Sequence, residues 1–149
     1  MKTFKYFAYG MNTNLDEMAA RCPRALAWDN AVLNNYQFKF RHHADIEVAH
    51  GEQVHGVLWH ITQKHLDALD TLEGYPYYYD RFTVDVVDSN GRVHQAITYQ
   101  MKKQDYETEP SSGYLAMVTE GYEQNELPLK QIESAINRIC STSNVIDMA

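Results

Sequence analysis

The sequence has little positive charge and no long apolar run, and each shortage excludes a class of protein. Its 13 lysine and arginine residues are outnumbered by 20 acidic residues, which gives a net charge of −7. A general nucleic-acid binder needs a basic footprint, so we expect no nucleic-acid partner. No stretch approaches the roughly 20 consecutive apolar residues that span a bilayer, so we expect no membrane partner either.

Cysteine is also scarce, and metal-binding motifs are absent from the sequence. Cys22 and Cys140 both fall on predicted apolar helix faces, so we expect buried free thiols in a cytoplasmic protein rather than a disulfide. The seven histidines form no H-E-x-x-H motif and no Cys/His cluster, so no metal site is predicted. Residues 1–5 lead into a short alternating strand, a pattern that is not typical of a signal peptide.

What the sequence does contain is the pattern of one mixed α/β domain. Its 149 residues, 44% of them hydrophobic, suffice for a single domain with a proper core. Alternating and apolar runs predict strands at 3–9, 31–40, 46–48, 53–61, 82–86 and 92–101. Helical spacing predicts helices at 15–22, 63–73, 111–124 and 129–140. Gly51 and the run Ser89-Asn90-Gly91 predict turns, the second of them a hairpin.

Glu73 is the most informative single residue, because it closes an amphipathic helix and is followed at once by Gly74. With about 100° per residue, Glu73 projects about 20° from Leu66 and about 40° from Leu69, at the edge of the apolar face. Partial desolvation there would raise the carboxyl pKa toward the range useful for proton transfer. The alternative is an ordinary boundary glutamate in water, since structural carboxylates far outnumber catalytic ones.

A second signal lies where the first predicted strand ends. Gly10 follows that strand, and the run Met11-Asn12-Thr13-Asn14 then supplies candidate caps for the helix that follows. A strand, a glycine turn and a helix N-terminus present several free backbone N–H groups at one point, which suits a carboxylate or carbonyl oxygen. The alternative is a plain strand-to-helix connection. Neither a dinucleotide fingerprint nor a P-loop fits these residues.

Five segments of the chain form an ordered set of motifs. They are Tyr6-Phe7-Ala8-Tyr9-Gly10-Met11-Asn12, Val54-His55-Gly56-Val57-Leu58-Trp59, the helix Leu66–Tyr75 that contains Glu73, Tyr79-Asp80-Arg81, and Pro110–Leu115 with Gly121-Tyr122 and Leu127-Pro128. In this order they resemble the gamma-glutamylcyclotransferase-like (AIG2-like) family, from about residue 4 to residue 130. The first segment resembles its Tyr-Gly-Ser-Asn loop, and the third resembles the helix that carries its catalytic glutamate.

The resemblance implies a fold and an activity. The implied fold is mixed α/β (α+β), a small β-barrel of about six or seven strands with flanking helices, in one gamma-glutamylcyclotransferase-like domain over residues 1–149. The implied enzyme cyclises a gamma-glutamyl group to 5-oxoproline and releases the attached amine or amino acid. The nucleophile belongs to the small-molecule gamma-glutamyl substrate, so neither a metal nor a cofactor is required. Monomer and homodimer are both compatible with the sequence.

The resemblance also assigns roles to residues. Glu73 is the implied general acid/base, which takes a proton from the substrate's α-ammonium group and returns one to the leaving nitrogen. The turn Tyr9-Gly10-Met11-Asn12 would hold the glutamyl carboxylate or the developing oxyanion through backbone N–H groups. Tyr114 would add a hydroxyl contact, and the strand residues Tyr6, Phe7 and Ala8 complete the predicted substrate-binding set.

Two features leave alternatives open. Met11 stands where the family normally has serine, so a hydroxyl contact is lost while backbone donors survive. This change is compatible with altered substrate choice, or with a catalytically silent relative that binds a small molecule or nucleotide in the same pocket. The tyrosine cluster at 75–79 is compatible with a stacking platform for bases or sugars, or with an ordinary half-buried strand.

Overall fold

The computed structural model describes residues 2–148, and it describes side chains as far as residue 141. Within this range the strands are β1 (Thr3–Ala8), β2 (Leu26–Arg41), β3 (His43–Thr62), β4 (Tyr79–Asp88) and β5 (Val93–Met101). The α-helices in the same range are α1 (Leu15–Arg21), α2 (Gln63–Glu73), α3 (Ser112–Gln124) and α4 (Lys130–Met148). None of these helices is both long and apolar enough to cross a lipid bilayer.

The five strands close into a barrel in the order β1-β3-β2-β4-β5. Neighbouring strands are antiparallel except at the closure, where β1 and β5 pair in parallel with Tyr6 opposite Ile97. The core fills the barrel and lies under the helices, with side chains such as Phe7, Ile46 and Leu58 fully buried. The prediction of a small β-barrel with flanking helices is therefore confirmed.

The described strands number five rather than six or seven, because two predicted strands are one. The turn predicted at Gly51 is wrong, since β3 runs through this residue without a break. Gly51 has a φ of 85° and Asn35 on β2 has a φ of 65°. The Gly51 N–H donates to Asn35 Oδ1 at 3.1 Å, next to a register shift between the two strands. The residues that signal a turn here form a β-bulge, which bends the long hairpin instead of ending it.

The helix that carries Glu73 is fixed at both of its ends. The Thr62 hydroxyl accepts from the His65 N–H at 3.3 Å, and His65 Nδ1 accepts from the Thr62 N–H at 3.1 Å, which closes a capping box. Gly74 ends the helix in the left-handed region with a φ of 64°. Leu66 and Leu69 are buried, so the predicted helix is confirmed and Glu73 occupies its last position.

The connection after β1 is a compact turn rather than a simple helix start. Gly10 is followed by a short 3₁₀ helix, Met11–Thr13, before α1 begins. Of the candidate caps, Asn14 caps α1, since its Oδ1 accepts from the N–H groups of Asp16 and Glu17 at 3.1 Å each. This geometry makes Met11 and Asn12 the first residues of a helical turn, where backbone N–H groups have no carbonyl within their own helix.

One prediction about the thiols is confirmed and one is wrong. Cys22 is buried, as expected, whereas Cys140 is exposed. On α4 the residues that face the core are Ile132 and Ala135, so Cys140 lies on the outer side of the helix. Its Sγ lies 3.7 Å from Glu109 Oε1. Both cysteines are free.

Candidate active site

A small cavity opens where the turn after β1 meets the end of α2 and the start of α3. This inner cavity has a volume of about 40 Å³. Its lining is Tyr6, Tyr9, Gly10, Met11, Asn12, Ala44, Glu73, Tyr79, Thr98, Tyr99 and Tyr114. An outer cavity of about 250 Å³ shares Met11, Glu73, Tyr79 and Tyr114 with it and is further lined by Arg21, His43, Leu72 and Tyr78. Glu73 and Tyr114 therefore lie where the two cavities meet.

The structure brings most of the predicted site residues together, although they come from separate parts of the chain. Tyr6, the turn at residues 9–12, Glu73 and Tyr114 all line the inner cavity. Phe7 and Ala8 are buried in the core and are not among its lining residues. Phe7 packs against β3, where a Cβ atom added to Gly56 would lie 2.7 Å from its ring.

Four lining residues were not predicted from the sequence, namely Ala44, Tyr79, Thr98 and Tyr99. They belong to β3, β4 and β5, and closure of the barrel brings them beside β1. Tyr79 is the one with a sequence signal, because it belongs to the tyrosine cluster that also suggested a binding surface. Nothing local to Ala44 distinguishes it from any small residue in a strand.

The Glu73 carboxylate lies in a half-buried position without a hydrogen-bond partner. Burial raises its pKa to about 7, and the guanidinium group of Arg21 opposes this rise. Among the described residues, no hydrogen bond is made to either carboxylate oxygen. Near neutral pH the group therefore exchanges a proton readily, and its oxygens are available to a ligand.

Tyr114 and Tyr6 hold hydroxyl groups whose oxygens already accept hydrogen bonds. Tyr114 Oη accepts from the Ala44 N–H at 3.0 Å, and Tyr6 Oη accepts from Asn12 Nδ2 at 3.0 Å. Burial raises the pKa of Tyr114 to about 12, and it raises that of Tyr6 further, so both stay protonated. Because the oxygen atoms are occupied as acceptors, each O–H remains able to donate to a ligand.

The other tyrosines around the cavity donate to the protein itself. Tyr79 Oη donates to the Ala44 carbonyl at 2.8 Å, and Tyr9 Oη donates to the Tyr99 carbonyl at 2.7 Å. Tyr99 Oη donates to Asp70 Oδ1 at 2.7 Å. These bonds fix the aromatic wall of the cavity, so its shape exists before any ligand binds.

The side chain of Asn12 connects the turn to its surroundings. Its Oδ1 accepts from Arg21 Nη1 at 2.6 Å, while its Nδ2 donates to Tyr6 Oη at 3.0 Å. The Asn12 carbonyl accepts from Trp59 Nε1 at 3.1 Å. Both polar atoms of the Asn12 side chain thus have partners within the protein.

Gly10 is required where the turn passes β3. A Cβ atom at this position would lie 2.7 Å from Ala44 Cβ and 3.5 Å from Tyr114 Oη. Real Cβ atoms do not approach other carbon atoms so closely, so a larger residue would push the turn away from Tyr114.

The residues that the structure describes also contain no group of three His, Cys, Asp or Glu side chains placed to hold a metal ion.

The chain is similar in sequence and in fold to known proteins. The AIG2-like family model matches residues 53–134. Bovine gamma-glutamylcyclotransferase is 29% identical over 143 residues, which cover 87% of this chain and 75% of the bovine protein. The human gamma-glutamylcyclotransferase is 29% identical over 146 residues, covering 89% and 77% of the two chains. A solved gamma-glutamyl cyclotransferase superposes with a TM-score of 0.81 at 26% identity, over 90% of this chain and 86% of that one.

Proposed function

The chain belongs to the AIG2-like family, and from this premise we propose that it is an enzyme that cyclises gamma-glutamyl groups to 5-oxoproline. The proposal is supported by gamma-glutamylcyclotransferases that match most of the chain. The observation that carries it is Glu73, a desolvated carboxylate that lines the inner cavity and has no hydrogen-bond partner among the side chains that the structure describes. The proposed reaction is an intramolecular acyl transfer, and Glu73 performs both of its proton transfers.

The reaction needs one group that first accepts a proton and then returns it. Glu73 takes a proton from the α-ammonium group of the substrate, and the free amine attacks the side-chain carbonyl carbon, forming the new C–N bond. The tetrahedral intermediate then collapses, and its bond to the leaving nitrogen breaks. Glu73 returns the proton to that nitrogen as the bond breaks, and the regenerated carboxylate then passes the second hydrogen of the ring nitrogen to the released amine. The products are therefore 5-oxoproline with one N–H and the attached group as an ammonium ion, and the Glu73 carboxylate is unchanged.

The raised pKa of Glu73 suits this first step. An ordinary α-ammonium group has a pKa of about 8, so transfer to a carboxylate with a pKa of about 7 is uphill by only about 1 kcal/mol. For a glutamate with an ordinary pKa of about 4.3, the same transfer would cost about 5 kcal/mol. Burial of Glu73 therefore removes most of the thermodynamic cost of generating the nucleophile.

The remaining groups around the inner cavity bind and orient the glutamyl part. The hydroxyl groups of Tyr6 and Tyr114 and the Asn12 N–H of the Met11–Thr13 turn donate toward its oxygens, while the Met11 N–H interacts with the Tyr114 hydroxyl. These donors suit the α-carboxylate and the oxyanion that develops on the carbonyl. The inner cavity accepts a compact group, so the attached amine extends into the outer cavity.

The test is release of 5-oxoproline from a panel of gamma-glutamyl amines and peptides. We expect release by the wild type, and a loss of about 10²–10⁴-fold in kcat for Glu73→Gln with the fold retained. Glu52→Gln is the matched control, since it removes the same charge from an exposed position on β3. No release by folded wild-type protein would contradict the proposed activity and favour a binding module. Unchanged turnover by Glu73→Gln would contradict the role of Glu73 alone.

A further inference from the structure

A surface groove lies next to the outer cavity, and Glu73 is not among its lining residues. It has a volume of about 500 Å³ and lies between the β2–β3 turn and the segments that precede β4 and follow β5. We call it the tyrosine groove and define it by His42, Tyr77, Tyr78 and Tyr106. Tyr78 lines both the groove and the outer cavity, so the two concavities adjoin at this residue.

Two of these tyrosines are exposed to an unusual degree. Tyr77 is 88% exposed and Tyr106 is 85% exposed, although they come from segments far apart in the sequence. Large aromatic rings usually bury much of their surface, and exposed ones that flank a concavity are typical of binding sites. The two rings therefore border the groove and bury little of their surface against the protein.

Two sets of neighbouring aromatic rings connect residues that line the cavities with residues that line the groove. On one side, the His43 ring lies 5.0 Å from that of Tyr114 and 5.7 Å from that of His42, measured between centroids. On the other side, the Tyr78 and Tyr79 rings lie 5.3 Å apart. Burial lowers the pKa of His43, so its ring is neutral at pH 7 and acts as a flat, weakly polar surface.

The charged side chains in the groove have partners within the protein. Arg41 is paired with Asp45 and Glu47, and it also donates to the Asp105 carbonyl. Lys103 Nζ lies 3.7 Å from the Asp105 carboxylate. Arg41 is therefore neutralised where it lies, whereas the Lys103–Asp105 pair is exposed to solvent and weak, so the exposed ring faces and the Lys103 ammonium group are what the groove offers to a ligand.

We propose that the tyrosine groove binds an aromatic ring carried by the leaving group of the gamma-glutamyl substrate. This inference rests on the proposed function and extends it, because it names a substrate class. The preferred substrates are gamma-glutamyl derivatives of aromatic amino acids or arylalkyl amines. The glutamyl part occupies the inner cavity, the scissile bond lies beside Glu73, and the ring stacks between Tyr78 and the exposed tyrosines.

Binding is measured on the Glu73→Gln protein, which is expected to hold substrates intact. Calorimetry compares gamma-glutamyl-phenylalanine with gamma-glutamyl-alanine, and gamma-glutamyl-leucine serves as an apolar control without a ring. We expect the phenylalanine compound to bind about tenfold more tightly than the alanine compound, from the stacking of one ring. Equal affinity for these two, or an equal gain for leucine, would overturn the proposal.

Variants of the groove locate the effect. Tyr77→Ser and Tyr106→Ser should each remove most of the preference for phenylalanine, whereas Tyr77→Phe should keep it because the ring remains. Val93→Ser is the control, since it removes an exposed apolar side chain at the start of β5. A preference that survives both serine variants would contradict the groove as its source.

The two proposals fail in different ways. In the wild-type background, the same groove variants should lower kcat/KM for gamma-glutamyl-phenylalanine about tenfold and leave that for gamma-glutamyl-alanine unchanged. If wild type releases 5-oxoproline from both compounds at equal kcat/KM, the reaction stands and the groove proposal falls. If folded protein neither binds nor cleaves either compound, the proposed function falls and the groove proposal falls with it.

Discussion

Asp45 and Glu73 are both carboxylates withdrawn from water beside the inner cavity, and they differ in their partners. Asp45 follows Ala44 of the cavity wall and is completely buried. Its carboxylate accepts from Arg41 Nη1 at 2.7 Å, from the Met101 N–H at 2.9 Å and from Gln104 Nε2 at 3.1 Å. Glu73 is less buried and has no hydrogen bond among the described residues.

Burial alone does not separate a structural acid from a candidate catalytic one. Burial raises the pKa of both carboxyl groups, and it is the largest cause in each case. At Asp45 hydrogen bonds from Met101 and Ile46, the charge of Arg41 and a bond from Gln104 oppose the rise. At Glu73 only the charge of Arg21 opposes it, so the carboxylate is left for a substrate ammonium group to complete.

The largest effect is expected on stability at Asp45. Asp45→Asn keeps the shape of the side chain but leaves Arg41 without its most buried partner, so we expect a loss of about 3–5 kcal/mol in the free energy of unfolding. Denaturant unfolding measures it, with Asp85→Asn on the exposed side of β4 as the control. A loss below about 1 kcal/mol, similar to that at an exposed site, would mean that the partners of Asp45 contribute little to stability.

Tyr114 tests the cavity side of the comparison. Tyr114→Phe removes a hydroxyl group that can donate to substrate, and we expect kcat/KM for gamma-glutamyl-alanine to fall about 10–100-fold. Tyr36→Phe removes a hydroxyl group outside the cavity lining and should leave kcat/KM unchanged. A fall in kcat would indicate oxyanion stabilisation, whereas a rise in KM alone would indicate carboxylate binding. No change in either constant would remove Tyr114 from the site.

The cost of keeping Glu73 unpartnered should appear as a pH-dependent gain in stability when its charge is removed. Its folded-state pKa of about 7 exceeds the unfolded value of about 4.3, so the folded state loses stability as pH rises through 7. Glu73→Gln should therefore be more stable than wild type by about 1–3 kcal/mol at pH 8, and equally stable below pH about 4.

Unfolding of both proteins at pH 4, 6 and 8 measures this gain, with Glu52→Gln as the exposed control. A variant that is less stable than wild type at pH 8 would mean that the Glu73 charge has a favourable partner. In that case Glu73 and Asp45 would belong to the same class of acid.

The sequence predicts the parts of this comparison that are local. Glu73 at the edge of an apolar helix face and the Gly10 turn are each visible within about ten residues, so both were placed correctly. The barrel was expected from the ordered motifs. The continuity of β3 through Gly51 was not, because a glycine signals a turn, and only the pairing with β2 on both sides of residues 49–52 shows that the strand continues.

The cavity wall could not be predicted because closure of the barrel assembles it. Ala44, Tyr79 and Tyr99 lie on three different strands, and their roles follow from long-range bonds such as that from Tyr79 Oη to the Ala44 carbonyl. The difference between Asp45 and Glu73 has the same origin. Two of the three partners of Asp45, Met101 and Gln104, lie more than 50 positions away in the sequence, so its ordinary place in an alternating strand gives no sign of them.

The charge of Arg21 lowers the pKa of Glu73, as the charge of Arg41 lowers that of Asp45, but Arg21 makes no ion pair with Glu73 among the described residues. Removing Arg21 should therefore produce the smallest effect. Arg21→Gln takes away a positive charge that lowers the Glu73 pKa, so that pKa should rise further. The acid limb of the kcat/KM profile against pH should then move to higher pH, by less than about one unit, because Arg21 is secondary to burial. Arg24→Gln removes an exposed charge nearby and should leave the limb in place. A limb that moves to lower pH, or that moves equally in both variants, would mean that Arg21 does not act on Glu73 directly. The Glu73 carboxylate would then have neither a charged neighbour that lowers its pKa nor a hydrogen bond from the described residues.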